Sequence, residues 1–178
     1  MDKSIMPECY ADTLLIETLI PTKSGYNHKH NCFKVEAEMK LGKLKDSFAV
    51  GIIDNDKKAI SYLSEFEKWD EVKGSLILWK HHDKSHFIIQ ICPALEKWVL
   101  DVCTESGITV TDFGLQNDLE ELKKRTKSMA SLNDANLRNL FGTIKTKSEH
   151  ESVRKLTGWV SLLKEKNYSV DLNELKNV

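Results

Sequence analysis

The sequence predicts an α/β fold, a sheet flanked by helices, with an all-helical C-terminal extension. Two observations carry this. Apolar runs of strand length alternate with helical patterns up to about residue 107, which argues for one sheet with helices on its faces. From Ile108 onward almost no strand signal remains, so we divide the chain into an α/β part, 1–107, and a helical part, 108–178.

Residues 3–7 are short and partly apolar and are read as the first strand. Glu8-Cys9-Tyr10-Ala11 forms a turn, after which Asp12 or Thr13 caps a helix to Ile20 whose Leu14, Leu15, Leu19 and Ile20 share an apolar face. Pro21 and Gly25 end it, and 23–31 is a polar loop. Alternation of Phe33, Val35, Ala37 and Met39 with charged residues predicts a half-buried strand over 32–39. The run SFAVGII, 47–53, fits a central strand buried on both faces. A helix is expected over 58–69 on the spacing of Ile60, Leu63 and Phe66, then two strands, 75–79 and 87–92, joined by the polar KHHDKSH. Pro93 suits the first turn of a helix running to Gly107. Three helical patterns follow, 112–129, 132–145 and 148–166, and 171–175 adds a short turn.

The bulk composition narrows the function. With 178 residues the chain is long enough to bury a proper core, and 30% charged against 40% hydrophobic residues is the range of a soluble globular protein. A net charge of -1 supplies no overall basic field for nucleic acid, although a cation held by carboxylates provides positive charge locally. Cys9, Cys32, Cys92 and Cys103 match no common zinc spacing and read as reduced thiols. No signal-peptide pattern or bilayer-length apolar run is expected, so the sequence reads as a cytoplasmic protein without membrane attachment.

Chemistry concentrates in two acidic segments. Glu8 follows the first strand, four residues before Asp12, and Asp54-Asn55-Asp56 follows the third. Ligand-binding groups in open α/β sheets gather at the carboxyl ends of strands. If those strands are parallel neighbours, the four carboxylates meet at one edge and repel each other unless a cation lies between them. Hard oxygen ligands favour Mg²⁺ or Mn²⁺, and such a site suits phosphoryl chemistry. Taken singly, Asp54-Asn55-Asp56 reads more readily as turn and cap residues and Glu8 carries almost no information; their joint placement after strands and before helices is what points to a metal site.

The segments PECYADTLLIETLI and AVGIIDNDKK together resemble the glutamate motif and the strand-plus-DxD motif of Toprim domains, particularly those of OLD-type nucleases. The resemblance covers about residues 3–107 and implies a Toprim-like (Rossmann-like), mainly parallel sheet. It implies Glu8 as general base or metal ligand, Asp54 and Asp56 as ligands of the principal Mg²⁺, and Asp12 with Glu96 at a second ion. Lys57 or Lys58 would face a phosphate, though two lysines after a turn are more often solvated. The glycine that commonly follows the family's glutamate is Cys9 here. A metal-dependent nuclease acting on nucleic acid, with a protein partner and a role in mobile-DNA defence, is what the resemblance implies. A non-catalytic interaction protein of the same fold and a small-nucleotide phosphohydrolase are the alternatives.

Other groups carry weaker expectations. His81, His82 and His86 read as an exposed hairpin turn, with a zinc site as the sharper alternative, and His28 and His30 as loop residues. Trp69, Trp79, Trp98 and Trp159 read as core. Lys123, Lys124, Arg125 and Lys127 would contact a nucleic-acid backbone only if their helix packs beside the acidic pocket.

Overall fold

The computed structural model describes residues 2–55 and 60–178. It is an α/β protein. A five-stranded sheet of order β1-β2-β5-β4-β3 is formed by β1 (Ile5–Pro7), β2 (Ala49–Asp54), β3 (Phe66–Val72), β4 (Leu76–His81) and β5 (His86–Ile91). β1 and β5 both pair parallel to β2, while β4 is antiparallel to β5 and to β3. The sheet is mixed: β1, β2 and β5 form the expected parallel part, and β5, β4 and β3, joined as consecutive hairpins, form an antiparallel one. Pro7, Asp54 and Ile91 end their strands at the same edge, which makes that edge the place where β1, β2 and β5 deliver their following residues.

Side chains alternate across the sheet with the period of two that a pleated strand imposes. Val50 and Ile52 face a large cluster with α1 (Tyr10–Leu19), α3 (Leu95–Glu105), α5 (Ala135–Lys147) and α6 (Glu151–Lys166). Ala49 and Ile53 face a smaller cluster with α2 (Cys32–Lys40) and Tyr62. α4 (Leu119–Thr126) and α7 (Leu172–Lys176) complete the helices. The C-terminal helices share one core with α1 and α3, since Leu137, Phe141 and Trp159 join Leu14, Val50 and Trp98. They also reach the edge of the sheet at β3. The buried Lys155 ammonium donates to Asp70 of β3 at 2.7 Å, and Trp69 Nε1 donates to the Leu172 carbonyl at 2.9 Å.

Two elements differ from expectation. Residues 32–40 are helical: Asn31 caps the helix by accepting from the Lys34 amide, and Cys32, Val35 and Met39 form its buried face. The period-two pattern was outweighed by this helical trio, and Phe33 is left 49% exposed. Within the helix expected over 58–69, residues 58 and 59 lie outside the described residues. Ser61–Glu65 is a single 3-10 turn, and Phe66–Val72 is an edge strand whose exposed positions carry Glu67, Lys68 and Glu71. Charge at such an edge discourages strand addition. Pro93 precedes α3 instead of opening it, since Ala94 occupies the N-cap.

The KHHDKSH segment is only partly a surface turn. His86 is fully buried and His81 nearly so. His86 Nε2 lies 2.9 Å from the carbonyls of Leu44 and Ser47, and Nδ1 lies 2.8 Å from the Tyr62 hydroxyl. His81 Nδ1 accepts from the amides of Asp83 and Lys84. These are satisfied core histidines, their nitrogens already committed, and not a zinc cage. Burial, as the largest cause, lowers both imidazole pKa values. A histidine shifted this way stabilises the fold above its ordinary value near 6.5, and that contribution is lost as pH falls through the lower, folded value. We expect NMR titration of both rings to give midpoints below about 6.5. A midpoint at or above the ordinary value for His86 would refute the committed-nitrogen network.

Candidate functional site at the carboxyl edge of the sheet

Four of the acids singled out from sequence stand together at the carboxyl edge. β1 hands over to α1 through Glu8 and Cys9, and the Glu8 amide donates to the Ile52 carbonyl at 2.8 Å, fixing the turn against β2. The Asp54 amide in turn donates to Glu8 Oε2 at 3.0 Å. Asp54 Oδ1 accepts from the Leu95 amide at 2.9 Å and so ties the end of β2 to the start of α3. Glu96, in the first turn of α3 and nearly buried, accepts a hydrogen bond from the Thr126 hydroxyl of α4.

Asp12 is not the helix N-cap but its third residue. Cys9 is the cap: its sulfur accepts from the Asp12 amide, and Asp12 Oδ2 accepts from the Cys9 amide at 2.9 Å, a reciprocal capping box. A C-x-x-D spacing is a signal for this arrangement that the sequence reading passed over. Cys9 holds φ -121°, ordinary extended backbone, so the position has no need of the glycine found in the family motif. Asp12 is 1% exposed, and its second oxygen, Oδ1, is buried without a hydrogen-bond partner among the described residues.

The electrostatics follow from this crowding. Burial, then the repulsion of Asp12, Glu8 and Glu96, raises the Asp54 carboxyl to about 9. Burial chiefly, with Glu8 and Glu96 adding, raises Asp12 to about 7 against the opposing hydrogen bonds from Cys9. Burial also pushes the Cys9 thiol far up, which keeps it a thiol. These groups sense one another, yet among the described residues no three His, Cys, Asp or Glu side chains are close enough together to form a ready metal cage. One oxygen of each of Glu8, Asp12, Asp54 and Glu96 accepts a structural hydrogen bond, from Asp54 N, Cys9 N, Leu95 N and the Thr126 hydroxyl respectively. Asp56 and Lys57 lie outside the described residues.

Thr126 is a member of the site that sequence reasoning missed. Its signal is faint: Leu122 and Thr126 are the two buried positions of α4, one turn apart. α4 thereby packs against the acidic pocket. Lys123 of the same helix feels the charge of Glu96 while bonded to Glu120 at 2.8 Å. The rest of the basic cluster is largely spent on partners, Lys124 on Glu121 and Arg125 on Asp134.

No family model matches this chain, and no curated protein or solved structure matches it. Among the described residues no helix is long and apolar enough to cross a membrane, and all four cysteines are free thiols.

Proposed function

We propose that this chain is a metal-dependent phosphoryl-transfer protein of the Toprim kind that acts on nucleic acid. The observation that carries the reading is the buried Asp12 Oδ1, which has no hydrogen-bond partner among the described residues, within a set of four carboxylates at the carboxyl edge of the sheet. A buried oxygen without a donor is costly, and a cation is the partner that four acids have in common. The donor set is all hard oxygen and fits Mg²⁺ or Mn²⁺. Asp12, Asp54, Glu8 and Glu96 would hold the ion, with Asp56 completing the set that the resemblance implies. When bound, such an ion supplies charge stabilisation and a low-pKa water.

The chain's own residues set the rest. The Asp54 amide orients Glu8, the candidate general base, through Oε2. Thr126 fixes Glu96, and Lys123 adds positive charge on the α4 side, where a phosphate would approach. By resemblance, Lys57 would take the same role.

A second reading is a non-catalytic interaction protein of this fold. What favours it is that Glu8, Asp12, Asp54 and Glu96 each already accept a structural hydrogen bond, as turn and cap carboxylates do. Phe33 and Leu41, 49% and 78% exposed at the two ends of α2, would then serve a protein partner.

Calorimetry with Mn²⁺, beside nicking of supercoiled plasmid, separates these. We expect wild type to bind Mn²⁺ and nick, and the double variant Asp54→Ala, Asp56→Ala to do neither. Binding without nicking would move the substrate to free nucleotides or to a partner-dependent reaction. Wild type that binds no Mn²⁺ would leave only the interaction protein.

A further inference from the structure

Beside the acids, on the outer side of the same turn, lies an arrangement the proposed reaction does not use. Residues 26–29 run along the free edge of β1. The Asn27 amide donates to Ile5 and the Lys29 amide to Pro7, at 3.1 and 3.2 Å, which brings His28 and His30 level with the end of β1. The His28 ring stacks on Tyr10, centroids 4.0 Å apart, and His30 meets both rings edge-on. Cys9 joins the two sides. Its amide serves Asp12 within the acidic pocket, while its carbonyl accepts from the Thr13 hydroxyl, which touches His28 Nδ1 at 3.3 Å.

The protons of this chain can be assigned from the network. Thr13 spends its only hydrogen on the Cys9 carbonyl, so His28 Nδ1 must be the donor toward Thr13 Oγ1. The neutral His28 then has an acceptor at Nε2. His30 Nδ1, 3.0 Å away, is the donor to it. This leaves His30 Nε2 with its lone pair on an exposed ring. His30 is held there at φ 75°, a left-handed conformation that a side chain rarely adopts. The charges around the pair are positive or already spent. Lys34, from the first turn of α2, bears on His28, and Lys29 is bound to Glu38 at 2.8 Å. From α1 and its turn, the Tyr10 ring and the Cys9 backbone carbonyl face His28.

We propose that His30, oriented through His28, is a phosphate subsite that binds the phosphodiester flanking the one engaged at the carboxylates and takes up one proton in doing so. This rests on the proposed nucleic-acid reading and names the part of the substrate that reading leaves open. When Nε2 is protonated, His30 donates to the phosphate from Nε2 and to His28 from Nδ1, with no rearrangement of the relay. A mononucleotide, lacking the flanking phosphate, reaches only the carboxylates.

The test is binding of a short fluorescent single-stranded oligodeoxynucleotide, and separately of a mononucleotide, in Ca²⁺ at several pH values. Because Asp12 and Asp54 also gain protons in this range, the mononucleotide, which shares only the carboxylates, serves as the reference. Relative to it we expect the oligonucleotide's affinity to rise about fivefold from pH near 8 to pH near 6. His30→Gln should weaken it and flatten that slope, and His28→Phe, which keeps the stack on Tyr10, should flatten it too. The mononucleotide should respond to neither variant. Mn²⁺ calorimetry on the same proteins should be unchanged. An oligonucleotide that binds His30→Gln with the wild-type slope, or that wild type does not bind at all, overturns the subsite, and retained Mn²⁺ binding then leaves the metal site standing. A His30-dependent slope in a protein that binds no Mn²⁺ would keep the subsite and sink the metal-dependent reading.

Discussion

Asp54→Asn is expected to abolish metal-dependent nicking, by at least about a hundredfold, while leaving the metal-free protein at least as stable as wild type above neutral pH. Loss of an outer-shell partner alone costs 10–100-fold in metal sites, so loss of a ligand should cost no less. The stability half of the prediction comes from the sign of the shifts. Asp54 is raised to about 9 and Asp12 to about 7, burial being the first cause of each and neighbouring carboxylates adding to it. A carboxyl raised in the folded state favours folding in its protonated form. That stability is complete below the ordinary value of about 4 and is lost as pH rises through about 7 to 9. Asparagine cannot ionise, and its side-chain carbonyl can still accept from the Leu95 amide. The variant should therefore melt a few degrees above metal-free wild type near pH 8, a gain of about 1–2 kcal/mol at about 2–4 °C per kcal/mol. Mn²⁺ at a hundred times its dissociation constant should raise wild type by about 2.7 kcal/mol, or about 5–10 °C, and the variant hardly at all. Equal stabilisation of both by Mn²⁺ in a thermal scan would place the ion elsewhere.

The position of Asp54 at a strand end was legible because its strand is a continuous apolar run, whereas the strand before Glu8 is short and partly apolar, Asp12 lies within α1, and Glu96 was reached only through the family resemblance. The run before Asp54 is apolar on both faces, as a central strand is, while its pairing with β1 and β5, a condition in the sequence reading, is set by the fold. What stayed illegible depends on tertiary context. CFKVEAEMK alternates well enough for a strand, but Cys32, Val35 and Met39 also fit one helical face, and packing against Gly51 decides between them. A Cβ at Gly51 would stand 2.7 Å from Val35, so the missing side chain is what lets α2 approach β2. FEKWDEV carries a helical spacing of apolar residues as well, and becomes strand because β4 offers it a ladder. Thr126 could not be placed from sequence, since its role exists only once α4 lies on α3. His28 and His30 looked like loop histidines for the same reason: nothing in the residues 23–31 shows that they run along β1.

Trp98→Ala should cost about 3–5 kcal/mol and lower the melting temperature by about 6–20 °C in one cooperative transition. Trp98 is 1% exposed in α3, two residues after Glu96, and sits in the core between the sheet and α6. Its Nε1 donates to Ser152 Oγ at 3.0 Å, and Ser152, fully buried, meets His150 Nδ1 at 2.8 Å. His150 Nε2 lies 2.8 Å from Glu105 at the other end of α3. Removing the indole therefore empties a large core volume beside an existing cleft of about 690 Å³, and it also deprives Ser152 of its donor. Trp98→Phe keeps most of the volume and should cost only about 1–3 kcal/mol, the penalty of one lost buried hydrogen bond. The single transition matters as much as the size of the loss. Because Leu137, Phe141 and Trp159 belong to the same cluster as Val50 and Trp98, residues 108–178 should not melt apart from the sheet. Two resolved transitions in calorimetry, with only one moved by Trp98→Ala, would show a separable C-terminal lobe. A single one would mean that α4, and with it the Thr126 contact to Glu96, is held in place by the stability of the whole fold.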